Sequence, residues 1–343
     1  CDWSSDVCSS DLMVFMRSVG FLISPKENEK RRAILPEDVA KLKNSNMLYF
    51  EKGYGEVLGI KDKEYIDVGA NVESRQSILK KDVICDPKIG DGDYLEDLTT
   101  DQIIFGWIHA VQNREVTDIL VNNKLKAIAW EEMHDEGRHV FWRNNEIAGE
   151  AAVMQAYQLY GKFPYETKVA ILGRGNTARG AYKILNGLGA DITVYSRNME
   201  SLFRKEIYKY DVIVNCILWD TRRNDHIIYR KDLLRMKNNS LIIDVSCDAN
   251  KAVETSRITT IENPVYYVDG VMHYVVDHTP SIFYKTSSKE ISKALVEYLD
   301  CIVEGNENNN KVLSDATIIE NGEILDEKIV KYQHRKYGKV NIA

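Results

Sequence analysis

At 343 residues, 44% hydrophobic and 28% charged, the chain has the composition of an ordinary globular protein and is long enough for two cores. A formal net charge of -7 excludes nucleic acid and anionic membrane as main partners, since both need a basic face. The six cysteines, at 1, 8, 85, 216, 247 and 301, form no CxxC pair, and Cys85, Cys216 and Cys247 lie in apolar runs, so neither disulfides nor a structural metal is expected. No apolar run reaches membrane-helix length and Arg17 interrupts the only candidate signal segment, which predicts a cytoplasmic protein.

Residues 1–12, CDWSSDVCSSDL, have no apolar period and read as a non-native leader, with the natural start at Met13 or Met16. Residues 19–23 predict a strand, and Pro36 opens a helix with Glu37 and Asp38 in its first turn. Residues 47–50, 82–85, 103–108 and 127–130 predict further strands, with helices near 75–81 and 114–123. A longer helix over 146–160, with Ile147, Ala151, Met154 and Tyr157 on one face, ends at Gly161 and links two domains.

Residues 168–197, KVAILGRGNTARGAYKILNGLGADITVYSR, carry the most informative pattern. The run from Val169 to Leu172 predicts a buried strand that stops at Gly173 and Gly175. Ala178, Ala181, Ile184, Leu185 and Leu188 recur at helical spacing, and 191–195 predicts a second strand. GxGxxA in that setting is a dinucleotide fingerprint, with Gly173, Arg174, Gly175, Asn176, Thr177 and Ala178 around the pyrophosphate. NAD sites usually end the second strand with a carboxylate for the ribose, whereas this chain has Ser196 and Arg197. A carboxylate about 4 Å from a 2'-phosphate would cost roughly 4 kcal/mol, and an arginine hydrogen bond returns about 1.5 to 3, so NADP(H) is the expected cofactor.

Residues 212–218, 241–245 and 271–276 predict the rest of a second sheet, 289–303 a helix, 304–310 a polar loop and 331–339 a solvated basic tail. Strands alternating with helices place the chain in the α/β class, with two Rossmann-like domains on parallel sheets and a cleft between them. The expected substrate domain is 13–141 with 285–343, and the NADP-binding domain is 142–284. Four groups follow strand-like runs or sit in an adjoining loop, where open parallel sheets hold ligands: His109 after IIFGWI, Lys88 after DVICDP, Asp248 after LIIDVSC, and Arg31 in KENEKRRAILP. Taken singly, each is ordinarily structural or solvated, and spacing alone does not promote it.

The segments KENEKRRAILPEDV, DPKIG, IFGWIHA, NNEIAGEAA, GRGNTARGA, IIDVSCD and DHTPSIFYKTSS resemble, in this order, the alanine dehydrogenase, transhydrogenase and lysine-forming saccharopine dehydrogenase superfamily. The resemblance covers residues 17–288 and is greatest to the N(5)-(carboxyethyl)ornithine synthases, through HAVQNR, GRHVFWRNNE, GRGNTARG and DVSCD. It implies that Arg31 binds a substrate carboxylate, that Lys88 is a substrate-binding lysine, that His109 is the catalytic histidine, and that Asp248 lies beside the nicotinamide. His278 and Thr279 stand where alanine dehydrogenases have Asn-Met, which implies a cofactor contact for His278 and, with Ser196, argues against NAD and free ammonia.

The implied reaction is NADPH-dependent reductive condensation of pyruvate with the side-chain amine of L-ornithine, or of lysine, in a homotetramer. Two alternatives stay open: an alanine dehydrogenase-like enzyme using ammonia, and a non-catalytic NADPH-binding regulator, against which the joint presence of Arg31, Lys88 and His109 weighs. Arg138, Arg143 and Glu131 are candidates for the far end of the amino acid, with salt bridging an equal expectation.

Overall fold

The computed structural model describes residues 16–220 and 223–335; the leader with Cys1, Cys8 and Met13, and the tail beyond 335, lie outside the described residues. Along the chain run β1 (Val19–Phe21), β2 (Leu48–Glu51), β3 (Asn71–Glu73), β4 (Val83–Cys85), β5 (Ile103–Gly106) and β6 (Lys126–Ala129), then a hairpin, β7 (His134–Asp135) with β8 (Arg138–His139). Helix α1 (Trp142–Tyr160) leads to β9 (Lys168–Leu172), α2 (Asn176–Gly187), β10 (Asp191–Tyr195), β11 (Val212–Asn215), β12 (Leu241–Asp244), β13 (Val265–Val268) and β14 (Val271–Tyr274). Helix α3 (Tyr284–Val303) then returns the chain to β15 (Thr317–Glu320) and β16 (Glu323–Ile324).

Two sheets result, ordered β16-β15-β6-β5-β4-β1-β2-β3 and β10-β9-β11-β12-β14-β13. Their central strands are parallel, and β15, β16 and β13 are antiparallel additions at the edges, so both sheets are mixed rather than purely parallel. VGF, VIC, IIFG, VIVN and LIID are buried along their whole length. Uninterrupted burial of this kind is what a parallel strand covered on both faces requires.

One face of the first sheet packs Phe21, Phe50, Phe105 and Trp130 against Ile291, Leu295 and Leu299 of α3. The second sheet packs Val169, Ile171 and Val214 against Ala152, Val153 and Ala156 of α1 and Ala178, Ala181 and Leu185 of α2. Met154 and Leu188 are exposed, contrary to the periodicity reading, because α1 turns small side chains toward α2 and the sheet. α1 and α2 touch at their backbones: a Cβ on Gly180 would lie 1.9 Å from the Glu146 carbonyl oxygen.

The C-terminal third departs further from expectation. Within the anticipated polar loop, Glu307 is buried and pairs with Arg17 at 2.6 Å and Lys126 at 2.9 Å. Four-residue β15 pairs with β6. The described part of the basic tail is not simply solvated: Gln333 Nε2 donates to the Ala110 carbonyl at 2.8 Å, and Arg335 pairs with Asp118 at 2.6 Å. Cys247 lies beyond β12 at φ 57° rather than inside a strand, and Cys85, Cys216, Cys247 and Cys301 are free thiols. No helix among the described residues is long and apolar enough to cross a membrane.

Gly180→Ala is expected to destabilise the protein by about 1–3 kcal/mol through overpacking, read by urea or thermal unfolding. Wild-type stability in that variant would show that the two helices do not meet as described.

Candidate functional site

The loop after β1 carries Arg31, which is 3% exposed, lies 4.9 Å over the Trp107 ring and is gripped by Glu29. Arg31 Nε donates to Glu29 Oε1 at 2.8 Å and Nη2 to Oε2 at 2.5 Å, while Nη1 reaches Asn144 Oδ1 of α1 at 3.3 Å. Burial raises the Glu29 pKa, but the Arg31 charge and hydrogen bonds outweigh it and hold the group below its ordinary value. One fork of the guanidinium is therefore taken, and a substrate carboxylate would use the other, between Nη1 and Nη2. Serines of the segment leading into α3 and of α3 itself fix the loop: Ser281, Ser288 and Ser292 accept from the backbone N–H of Lys30, Arg32 and Leu35 at 2.8, 2.8 and 2.9 Å.

Lys88 follows β4 and is also buried. Its Nζ lies 3.2 Å from Asp91 Oδ2 and 3.7 Å from Asp277 Oδ2, the latter brought from beyond β14 of the second sheet. Its backbone N–H donates to Asp86, whose pKa burial pushes up to about 6. The Lys88 loop lies directly against the next strand, since Gly90 N–H donates to the Trp107 carbonyl at 3.1 Å.

His109 follows β5 with φ 53°, a conformation uncommon for a residue with a side chain. Both carboxylate oxygens of Glu131 hold the turn, accepting from Ile108 N–H at 3.1 Å and His109 N–H at 2.6 Å. Burial pushes the Glu131 pKa up to about 7 against those bonds. His109 is exposed to solvent, and the charges of Lys88, Asp91, Asp277 and Arg31 act on its ring. Burial and the Lys88 cation, opposed by Asp91 and Asp277, push its pKa down to about 3. Water reaching the ring offsets part of the burial effect, but the direction leaves a neutral imidazole at pH 7.

On the second sheet Gly173 turns at φ 109° and donates its N–H to the Tyr195 carbonyl at 2.9 Å. Gly175 is not in the left-handed region, at φ -73°; a Cβ there would meet nothing within 4 Å, so its role is to leave the approach open. α2 starts at Asn176 with no side-chain cap, and Thr177 and buried Ala178 complete its first turn. Its leading N–H groups fit a pyrophosphate, the chemistry a helix N-terminus offers. Arg174 and Arg197 are exposed and have no hydrogen-bond or ion-pair partner among the described residues, and half-buried Ser196 lies at the end of β10.

Asp248, beyond β12, has its pKa pushed up to about 6 by burial and by Asp244, with Lys251 opposing. The Cys247 thiol, which burial keeps protonated, interacts electrostatically with Asp244, Asp277, Asp248 and Lys88, so the end of β12 faces the Lys88 loop. His278 is 2% exposed, Nδ1 bonds Asp277 at 2.7 Å, and Nε2 bonds the Glu27 carbonyl at 2.6 Å, so its ring ties the second sheet to the Arg31 loop.

Arg31, Lys88 and His109 thus gather at the ends of β1, β4 and β5, opposite the ends of β12 and β14. Arg143 is engaged by Glu146 and Glu150 of its own helix, Glu131 by the His109 turn, and Arg138 stacks over Trp142 at 4.8 Å. Sequence reasoning missed Lys26, Glu29, Asp91 and Asp277. The available signal was position: Glu29 is two residues before Arg31, Asp91 three after Lys88, and Asp277 just past a strand end.

Residues 25–145 match the family model "Alanine dehydrogenase/PNT, N-terminal domain" and residues 196–327 match "Alanine dehydrogenase/PNT, C-terminal domain". Among curated relatives, the N(5)-(carboxyethyl)ornithine synthase of Clostridium botulinum is 36% identical over 83% of this chain and 98% of its own length. That of Lactococcus lactis subsp. lactis is 32% identical over 82% and 97%, and an alanine dehydrogenase of Methanococcus maripaludis 27% over 80% and 84%. Of solved structures, an L-alanine dehydrogenase superposes with a TM-score of 0.79 at 20% identity over 92% of this chain and 99% of its own. A transhydrogenase from Sinorhizobium meliloti superposes at 0.74, with 20% identity over 90% and 99%. The chain belongs to the alanine dehydrogenase/PNT family and is a pyridine-nucleotide-dependent oxidoreductase of small-molecule substrates.

Proposed function

We propose that the protein condenses pyruvate with the side-chain amine of L-ornithine and reduces the product with NADPH, giving N(5)-(L-1-carboxyethyl)-L-ornithine. The observation that carries this reading is the convergence of Arg31, Lys88 and His109 opposite the second sheet's strand ends, in a chain similar to carboxyethylornithine synthases. Arg31 binds the keto-acid carboxylate through the Nη1 and Nη2 protons that Asn144 and Glu29 leave over. Lys88 places its charge beside the keto oxygen, where negative charge develops as the amine attacks. Neutral His109 carries two protons in turn from the amine nitrogen to the keto oxygen, the first giving the hydroxyl as the C–N bond forms and the second letting that hydroxyl leave as water. A reduced nicotinamide cofactor, which the turn at Gly173 and Gly175 and the start of α2 would hold, would supply the hydride that reduces the imine. Asp248, with its raised pKa, is a second base on the cofactor side.

Selectivity for NADPH rests on Arg174 and Arg197, two exposed residues beside the phosphate turn whose guanidinium groups have no partner among the described residues. An ammonia-using dehydrogenase is the weaker reading, the alanine dehydrogenase relative being 27% identical against 36% for the synthase.

Following NADPH absorbance with pyruvate plus ornithine, lysine, ammonia or no amine tests the reaction: oxidation is expected with ornithine, and oxidation with ammonia alone would overturn it. Silence with every amine would favour a non-catalytic binding protein. His109→Ala is expected to retain NADPH binding while kcat falls at least about a hundredfold, as loss of a general acid and base does. Lys88→Met is expected to raise the His109 pKa, because a neighbouring cation is removed, as read by NMR titration of the labelled ring; an unmoved titration would show that Lys88 does not act on it. Arg197→Ala is expected to weaken NADPH binding far more than NADH binding, and equal losses would refute its role in selectivity.

A further inference from the structure

One cleft side chain has no part in the reaction as proposed. Lys26 Nζ lies 3.0 Å from Asp91 Oδ1 and 3.2 Å from Asp277 Oδ2, so a primary ammonium bridges carboxylates contributed by the two sheets. The same two carboxylates meet Lys88 Nζ, and both act through space on the His109 ring. An alkyl ammonium of the protein's own is therefore already seated beside the residues assigned to carbonyl polarisation and proton transfer. The two lysines differ in freedom: the Lys88 side chain is 6% exposed and that of Lys26 23%, on the loop that precedes Arg31. Lys26 has a solvent path along which to withdraw. Its pairing with Asp91 and Asp277 resembles part-exposed pairs, which exchange at small cost.

We propose that Asp91 and Asp277 form the subsite for the primary ammonium of the amine substrate, and that Lys26 fills it until that ammonium displaces it. The proposal rests on the preceding reading that the second substrate is an alkyl amine. Lys26 and the side-chain amine of ornithine or lysine are the same functional group on similar stems, so one pair of carboxylates accepts either, and the exchange leaves the net charge of the cleft unchanged. The two carboxylates hold the nitrogen charged, so it reacts on leaving them: it gives a proton to His109, and the freed lone pair forms the C–N bond to the keto carbon. The keto oxygen takes up the displaced electron pair against Lys88.

Steady-state kinetics of the full chain with NADPH, pyruvate and L-ornithine test this. Removing the competing ammonium by Lys26→Met should lower the KM for ornithine about threefold or more while that for pyruvate stays within about twofold. Asp277→Asn should raise the KM for ornithine at least about tenfold, and by more than that for pyruvate, the scale of one charge-assisted hydrogen bond. A higher ornithine KM in Lys26→Met, or an equal shift of both KM values in Asp277→Asn, would overturn the proposal and leave these groups as a clamp on Lys88. Should Asp277→Asn not fold, the Lys26→Met result decides alone. If the wild-type protein turns over no amine, the proposed reaction fails, and calorimetric titration of L-ornithine into the NADP+-saturated protein reads the subsite separately. Tighter binding to Lys26→Met than to wild type would sustain the subsite, and equal or weaker binding would overturn it.

Discussion

Buried cations need ionised carboxylates beside them, and the cleft is built around that requirement. Arg31 and Lys88 are both largely withdrawn from water. A charge so placed is tolerated only when paired and hydrogen-bonded, and deleting one member of such a pair costs about 3–5 kcal/mol because the other is left alone. Glu29 answers Arg31 from the same loop, whereas Lys88 is answered partly from its own turn, by Asp91, and partly from the other sheet, by Asp277. Burial raises the Asp277 pKa, but the His278 bond and the Lys88 and Lys26 charges hold it well below the usual carboxylate range. The Lys88 charge that would grip a substrate is thus also one that joins the two sheets.

The arrangement follows from topology. Parallel strands carry their ligand-binding loops at one end, and two such sheets joined by α1 and α3 present those ends to each other. Segments distant in sequence then become one surface. The residues around Arg31 are held by serines some 250 positions later, which explains why the KENEKRRAILP and DHTPSIFYKTSS segments belong to one site.

Much of this was legible in the sequence where the signal is local. The uninterrupted apolar runs of β4, β5, β9, β11 and β12 fall close to their predicted places, and the glycine turn with its flanking strand and helix stands where the fingerprint puts it. Where partners come from far away, the reading failed. β15 pairs antiparallel with β6, which lies almost two hundred residues earlier. Glu307, Gln333 and Arg335 looked solvated because Arg17, Ala110 and Asp118, which they bond, lie far away in sequence. His278 was assigned a cofactor contact by resemblance, and its bond to the Glu27 carbonyl, from the other end of the fold, shows only in three dimensions. Glu29, Asp91 and Asp277 escaped because a carboxylate in a loop has no pattern of its own.

The discontinuity of the first sheet has a consequence for biosynthesis. The second sheet is formed from one uninterrupted stretch, so its contacts become available as soon as that stretch is made, whereas the first takes its last two strands from the end of the chain. Folding that waits on such distant pairing is slow, and during translation the earlier stretch is exposed until the later one arrives. Gln333 adds a strut to this closure, gripping the carbonyl of Ala110 next to the His109 turn. A nascent polypeptide would accordingly have the whole second sheet in hand before the first can close, and Gln333 would join Glu131 beside the histidine turn only after that.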